Sequence, residues 1–287
     1  MYLFEDKNGK KQVVDGRQRI SAILDFLEGK FKLNNLRILK QFNGCCFADL
    51  DLKQQGVIED FQLLFYIIQP PTPERVKYDI FDRVNRGGTP LNKQEMRNAL
   101  YRGRCTRMLD KLCCSPEFLI ATGRSINKER MKDQYVVLRA MAFLMLHRGE
   151  FKDIPALQYR GDIDDFLARF MVYVNDNAPE KLIVDYENLF IRCMQISYDL
   201  LGENGFRFSG NGIRRPINMP LFEALSYLFS FVPEKIDYTW ASRLILDIES
   251  VKEEFDDSRY FSGNIDSTTS VSFRFDRMDK IINRIQL

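Results

Sequence analysis

Arg17 and Arg19 bracket a glutamine in the run Lys11-Gln-Val-Val-Asp15-Gly16-Arg17-Gln18-Arg19, and side chains of these types at this spacing can hold a phosphate. A guanidinium presents a planar fork of donors that matches phosphate oxygens. Gly16 has no Cβ, so a ligand or another backbone can come close. A helix is expected at once, because Ile20, Ile23, Leu24 and Leu27 recur at helical spacing and define a buried face. Its first turn offers free N–H donors and partial positive charge. On this reading Gly16, Arg17 and Arg19 bind phosphate, while Gln18 hydrogen-bonds it or positions a water. Asp15 is read as the helix cap in preference to a water-mediated Mg2+ ligand. From composition alone the plainer alternative is favoured: a strand–turn–helix joint whose arginines meet solvent or nearby carboxylates.

The elements that must position this run follow from the flanking pattern. Residues 2–4 and 11–14 are expected to form two short strands around Asp6-Lys-Asn-Gly9, a hairpin signal because Asn-Gly tolerates positive φ. The helix that follows should stop at Gly29. Residues 30–60 read as irregular strands and loops. The β-branched and aromatic run Phe61–Ile68, stopped by Pro70-Pro71, reads as a buried strand. A helix near Pro73-Glu74 would bury Val76, Ile80, Phe81 and Val84 and break at Asn85-Arg-Gly-Gly88-Thr-Pro90. Asn92 and Glu95 have capping-box spacing and open another helix through Tyr101. Beyond about 105 the pattern is helical only, with expected spans 105–113, 127–147, 162–176, 180–201, 218–231, 239–254 and 272–286. Ser262–Ser272, rich in Ser and Thr, reads as an exposed loop. The fold class is therefore α+β, with a small mixed domain at 1–104 and an all-α helical domain at 105–287.

Two further constellations carry chemistry. Asn85 and Gly88 in the loop, with Glu95 and Asn98 at i, i+3 on the next helix, either line a nucleotide pocket or form an ordinary helix-loop-helix corner. Arg214 and Arg215 sit in an interhelical loop, where the default is a surface position and the alternative is a contact to nucleic-acid phosphates.

Composition excludes several function classes. The 287 residues are 45% apolar, enough for a sizeable core. No apolar run approaches the roughly 20 residues that a membrane-spanning helix needs. Tyr135–Leu146 is broken by Arg139 and reads as a buried helix. The N-terminus has no signal-peptide layout, so the expected location is cytoplasmic. Net charge is +2. Residues 1–105 hold 18 basic and 13 acidic side chains and the remainder 24 and 27, a mild basic bias at the front. Six cysteines without Cys-x-x-Cys spacing read as small apolar residues. The single histidine, His147, rules out a His-Asn-His nuclease or a two-His zinc site within this chain. There is no P-loop motif.

Val14-Asp-Gly-Arg-Gln-Arg-Ile20 resembles the Asp-Gly-Gln-Gln-Arg signature of the domain of unknown function 262. Phe81-Asp-Arg-Val-Asn85-Arg-Gly-Gly88-Thr-Pro-Leu91-Asn-Lys-Gln-Glu95-Met-Arg-Asn98 is similar to that family's second segment. Asn218-Met-Pro-Leu-Phe-Glu-Ala-Leu-Ser226 is similar to part of its helical region. The resemblance implies a ParB/sulfiredoxin-like domain, as in the N-terminal part of GmrSD-type modification-dependent restriction proteins. It also implies a nucleoside triphosphate with Mg2+ as ligand, regulation of a nuclease, and phage DNA as the eventual target. Carried over, Asp15 and Gln18 are the candidate catalytic residues. Gly16, Arg19, Asn85, Gly88, Glu95 and Asn98, with Arg17 in place of the family's glutamine, are the candidate nucleotide-binding residues; Arg214 and Arg215 are candidate nucleic-acid contacts from their loop position alone.

Three departures qualify the match. Arg17 stands where the family has glutamine, the several tens of residues that usually precede the motif are missing, and one histidine cannot build the family's His-Asn-His nuclease. The expectation is a nucleotide-binding regulatory or sensor protein with a separate nuclease subunit as partner. Whether it hydrolyses the nucleotide stays open. The alternative is a non-enzymatic nucleic-acid-binding or protein-interaction module, a truncated inactive family member.

Overall fold

The alternation around the Asn-Gly turn does pair as a hairpin. In the computed structural model, which describes the chain apart from residues 6–8, 70, 73–75, 78, 81–90, 211–213, 234, 236 and 286–287, β1 (Tyr2–Glu5) and β2 (Lys11–Asp15) are antiparallel, with Leu3 opposite Val13 and Phe4 opposite Gln12. A third strand, β3 (Tyr66–Ile68), lies parallel to β1 on its other side, giving the order β2-β1-β3. Tyr2 and Tyr66 stack across that pair at 5.2 Å. Parallel neighbours need a long crossover. Here it carries two helices, α1 (Arg17–Leu27) and α2 (Leu52–Glu59).

Several expectations fail in this part. The 30–60 stretch is not wholly irregular: Asp51 and Gln54 form a capping box, and that closes the first turn of α2. Phe61–Ile68 is not a buried strand, since only Tyr66–Ile68 pairs and Phe61, Leu64, Tyr66 and Ile67 are exposed. Leu24, placed on the buried face of α1, is 51% exposed. Phe26 takes its place, against Phe31 and Phe47 at ring distances of 5.5 and 6.0 Å. Of the expected helix near 73, residues 76, 77, 79 and 80 are helical and Val76 is exposed. Phe81 and Val84 lie outside the described residues.

The chain divides into two compact units, Met1–Pro90 and Leu91–Leu287. The second unit contains α3 (Lys93–Leu100), α4 (Arg104–Cys113), α5 (Pro116–Ala121), α6 (Lys132–His147), α7 (Ile163–Asp176), α8 (Glu180–Leu201), α9 (Met219–Phe229), α10 (Tyr238–Asp256) and α11 (Thr268–Ile285). Periodicity predicts most of them well; Tyr186, Phe190, Cys193 and Ser197 form a buried stripe of α8 as expected. It misses α5, six residues capped by Ser115 with Pro116 in the first turn. It also starts α11 four residues late. The Ser/Thr-rich segment is not an exposed loop throughout, because Ser267 Oγ accepts from the Ser270 N–H at 3.1 Å and Val271 is buried. Three thiols, Cys105, Cys113 and Cys193, lie in the helical core, and burial pushes each well above its ordinary pKa. Cys45 and Cys46 are half-buried in the first unit, and Cys114 is exposed.

α6 and α9 run through the centre of the helical unit, and each brings a charged group inside. Glu223 of α9 is fully buried and accepts from Arg139 of α6 through Oε1 and from Arg274 of α11 through Oε2, the latter at 3.2 Å. Arg139 also donates to Asp266 at 2.7 Å and to the Tyr135 hydroxyl at 3.1 Å. Arg274 reaches the Ile265 carbonyl at 2.6 Å. Two guanidiniums thus meet two carboxylates, which is what keeps buried charge tolerable. Replacing Glu223 with leucine leaves Arg139 with Asp266 and takes from Arg274 the one carboxylate it pairs with among the described residues. Urea denaturation of Glu223→Leu should show a loss of about 3–5 kcal/mol, and a loss under about 1 kcal/mol would refute the role assigned to this carboxylate.

His147 ends α6 with its ring stacked on Phe275 at 3.6 Å and Nε2 buried without a hydrogen bond. Burial, helped by the Arg274 charge, pushes its pKa down to about 3 from 6.5. The unfolded chain therefore binds a proton first as pH falls, and stability declines from about pH 6.5 towards 3. Between pH 6.5 and 5 the wild type should lose about 1.6 kcal/mol more than His147→Gln, the slope approaching about 1.4 kcal/mol per pH unit below pH 6.5. Parallel pH profiles of the urea midpoint for both proteins test this.

Candidate functional site

Asp15 ends β2, and the chain turns into α1 through Gly16, whose φ of +95° is open to glycine at little cost. A Cβ there would lie 2.8 Å from the Met1 side chain. Gly16 occupies the cap position of α1, its carbonyl accepting from the Ile20 N–H at 2.8 Å, and no side chain caps the helix. Asp15 is therefore not the cap. It is still in the β2 ladder, and its carboxylate turns instead to Arg19 Nη2 at 2.5 Å, one helical turn on. Arg17, Gln18 and Arg19 are exposed. Arg17 and Gln18 have no side-chain partner among the described residues. Gly16 itself is buried beneath the Met1 side chain, so the close approach its missing Cβ permits is taken by Met1 and not left open to a ligand. The exposed groups at this helix start are Arg17, Gln18 and Arg19, two cations and an amide suited to an anion.

The second constellation is only partly visible, since Asn85 and Gly88 lie outside the described residues. Glu95 and Asn98 belong to α3 in the helical unit, and both are engaged by it. Asn92 accepts from the Gln94 and Glu95 N–H groups at 2.8 and 2.9 Å, and Glu95 Oε2 accepts from the Asn92 N–H at 2.7 Å, completing the expected capping box. The same Glu95 oxygen accepts from Arg130 Nη2 at 3.0 Å. Asn92 also donates to the Arg130 carbonyl at 2.6 Å. Asn98 donates to Met131 Sδ at 3.1 Å and to Gln134 Oε1, and accepts from Gln94 at 2.8 Å.

What these side chains hold is unusual: Arg130 and Met131 both have left-handed backbone, φ 56° and 59°. Two consecutive non-glycine residues in that region cost on the order of 1–2 kcal/mol each. Sequence gave no hint of Arg130 or Gln134 as partners, because 35 residues separate Glu95 from Arg130 and no local pattern links them. The Arg130 guanidinium holds the Glu95 carboxyl below its ordinary range, against the opposing effect of burial, and the Asn92 N–H helps. Glu95→Ala removes both the cap reciprocity and the Arg130 partner, and should lower stability by about 1–2 kcal/mol. Chemical denaturation measures it, with Glu95→Gln recovering part of the loss.

Arg214 and Arg215 are half-exposed and paired. Arg214 Nη2 donates to Glu203 at 2.7 Å, and Arg215 Nη1 donates to Asp256 and to the Ser209 carbonyl. Both lie in the loop expected from the sequence. Among the described residues there is no cluster of three or more metal-ligating side chains and no helix long and apolar enough to cross a membrane.

Residues 1–102 match the family model described as GmrSD restriction endonuclease, N-terminal domain. The match runs through the first compact unit and the first helix of the second, so it contains both motif segments. No curated protein and no solved structure matches the chain.

Proposed function

We propose that this chain, whose residues 1–102 match the model of the GmrSD restriction endonuclease N-terminal domain, is a restriction- and defence-related, nucleotide-responsive regulatory protein. The proposal includes a ParB/sulfiredoxin-like character for the sheet and helices around Asp15–Arg19. The observation that carries it is the start of α1, which no side chain caps among the described residues, with Arg17, Gln18 and Arg19 exposed along its first turn. Its donor set suits a polyphosphate: two guanidiniums, the Gln18 amide and first-turn N–H groups. Arg19 is now neutralised by Asp15, so phosphate must compete with that carboxylate. On release, Asp15 is free to hold a Mg2+ aquo ion, and Gln18 to orient water, which are the roles that turnover would require of them.

Glu95 and Asn98 are engaged within the helical unit by Arg130, Met131 and Gln134, so a nucleotide that used them would have to compete with those partners. The restriction context supplies the partners in this reading: nucleic acid and a separate nuclease that this chain controls.

Calorimetric titration of nucleoside triphosphates with Mg2+ tests the proposal. At least one should bind the wild type, and Arg19→Ala should weaken it by about tenfold or more, the loss of one charge-assisted contact of roughly 1.5–3 kcal/mol. No binding by any triphosphate, or binding indifferent to Arg19→Ala, would overturn it.

A further inference from the structure

Residues 203–210 and 214–215 and the face of α10 line a cleft of about 660 Å3 in the helical unit, with Glu203, Arg207, Arg214, Arg215, Glu249 and Lys252 on its walls. This volume falls within the range of small-molecule sites. Cations outnumber carboxylates there, even when Asp256, which pairs with Arg215 from outside, is counted.

The cleft is built, not incidental. Arg207 is buried and spends its guanidinium entirely on the protein. It donates to the Glu203 carbonyl at 3.2 Å, the Thr122 carbonyl at 3.2 Å, the Arg215 carbonyl and Ser125 Oγ. That clamp fixes the backbone on which Arg214 and Arg215 stand. Burial, with the nearby Arg214 charge and against that of Glu203, holds Arg207 below its ordinary pKa. Lys252 falls on the apolar stripe of α10, between Ile248, Val251 and Phe255, yet is almost fully buried with its ammonium at the cleft wall. It donates to Glu249 at 2.9 Å and to the Asn204 carbonyl at 3.4 Å, leaving capacity for a third bond.

Among the described residues Arg214 pairs with Glu203 alone, and the pair lies across Gly123. A Cβ on Gly123 would sit 2.1 Å from Arg214 Nη2 and 2.7 Å from Glu203 Oε2, and its φ of +58° also favours glycine. A bare backbone under an exposed ion pair keeps room for both side chains to move together.

We propose that this cleft is a seat for a phosphate-bearing anion, which Arg214, Arg215 and Lys252 bind and for which the Glu203 carboxylate is the resident stand-in. The phosphate takes the position of that carboxylate on Arg214, and Glu203 swings to solvent. The same chemistry recognises free polyphosphate and the phosphates of a nucleic-acid backbone. The seat does not depend on the Asp15–Arg19 reading.

Titration of the 287-residue chain with sodium tripolyphosphate at low salt is the test, carried out in an Arg17→Ala/Arg19→Ala background that removes both cations of the first unit's candidate site. Arg214→Gln should lower affinity by about tenfold, and Glu203→Gln should raise it by roughly threefold because the competing charge is gone. Thermal melts check that both exposed substitutions leave the fold intact. A chain that binds no tripolyphosphate, or an affinity that neither substitution moves, overturns the proposal. A DNA duplex that displaces tripolyphosphate assigns the seat to backbone phosphate, and one that does not assigns it to free polyphosphate.

Discussion

Glu223 holds no contact with solvent, and each of its oxygens is committed to a different arginine. Three helices, α6, α9 and α11, can approach one another in the core only if that carboxylate is present, because Arg139 and Arg274 are as deeply buried as it is. The isolated charge would be far costlier than any gain from packing around it. Asp266 closes the charge balance from the segment that leads into α11. Tyr159 ties the same segment down, its hydroxyl donating to the Asp266 carbonyl. The apolar contacts of Phe143, Phe166 and Phe275 around the network are interchangeable in kind, but the pairing is not, so it sets which helix faces meet.

A second constraint of the same type operates at the start of the helical unit. The Asn92-to-Asn98 segment resembles a family signature, and such signatures invite a ligand-binding reading. Here Asn92, Glu95 and Asn98 spend their polar atoms on holding two consecutive residues in left-handed backbone at the entrance to α6. Arg97, on the same helix and fully buried, donates to Asp164 of α7 at 2.7 Å. The segment is thus a brace whose sequence is fixed by what it must grip. Asp15–Arg19 differs in kind: its glycine is required by the backbone, but Arg17 and Gln18 are exposed and have no side-chain partner among the described residues.

The contrast explains what could be read in advance. Long amphipathic helices such as α8 declared themselves because Tyr186, Phe190 and Cys193 recur with one period and all three are buried. The hairpin declared itself through Asn-Gly. Short elements did not: α5 has too few turns for a period to register, and α2 has little amphipathic character to read. Phe61–Ile68 was misread because β-branched and aromatic content marks strand propensity but not burial, and most of the run is unpaired. Polar partnerships were the least legible part. Arg139 interrupts an apolar run visibly, yet nothing near it in sequence names Glu223, 84 residues away. At the Asp15–Arg19 motif, composition identified the arginines and the glycine, while the assignment of the cap depended on a left-handed turn at Gly16 that places Asp15 one residue too early.

The placement of the cysteines has a consequence of its own. Cys45 and Cys46 belong to the first unit and are half-buried, whereas Cys105, Cys113 and Cys193 are sealed in the helical core as protonated thiols. A thiol reagent reaches such a group only when the structure around it opens. The chain therefore carries two sets of native chemical reporters, one per unit, with Cys114 on the surface as an internal reference for reagent access. The order in which the sets become labelled reads the opening of each unit separately, and a ligand that closes one of them registers as slowed labelling of that set alone.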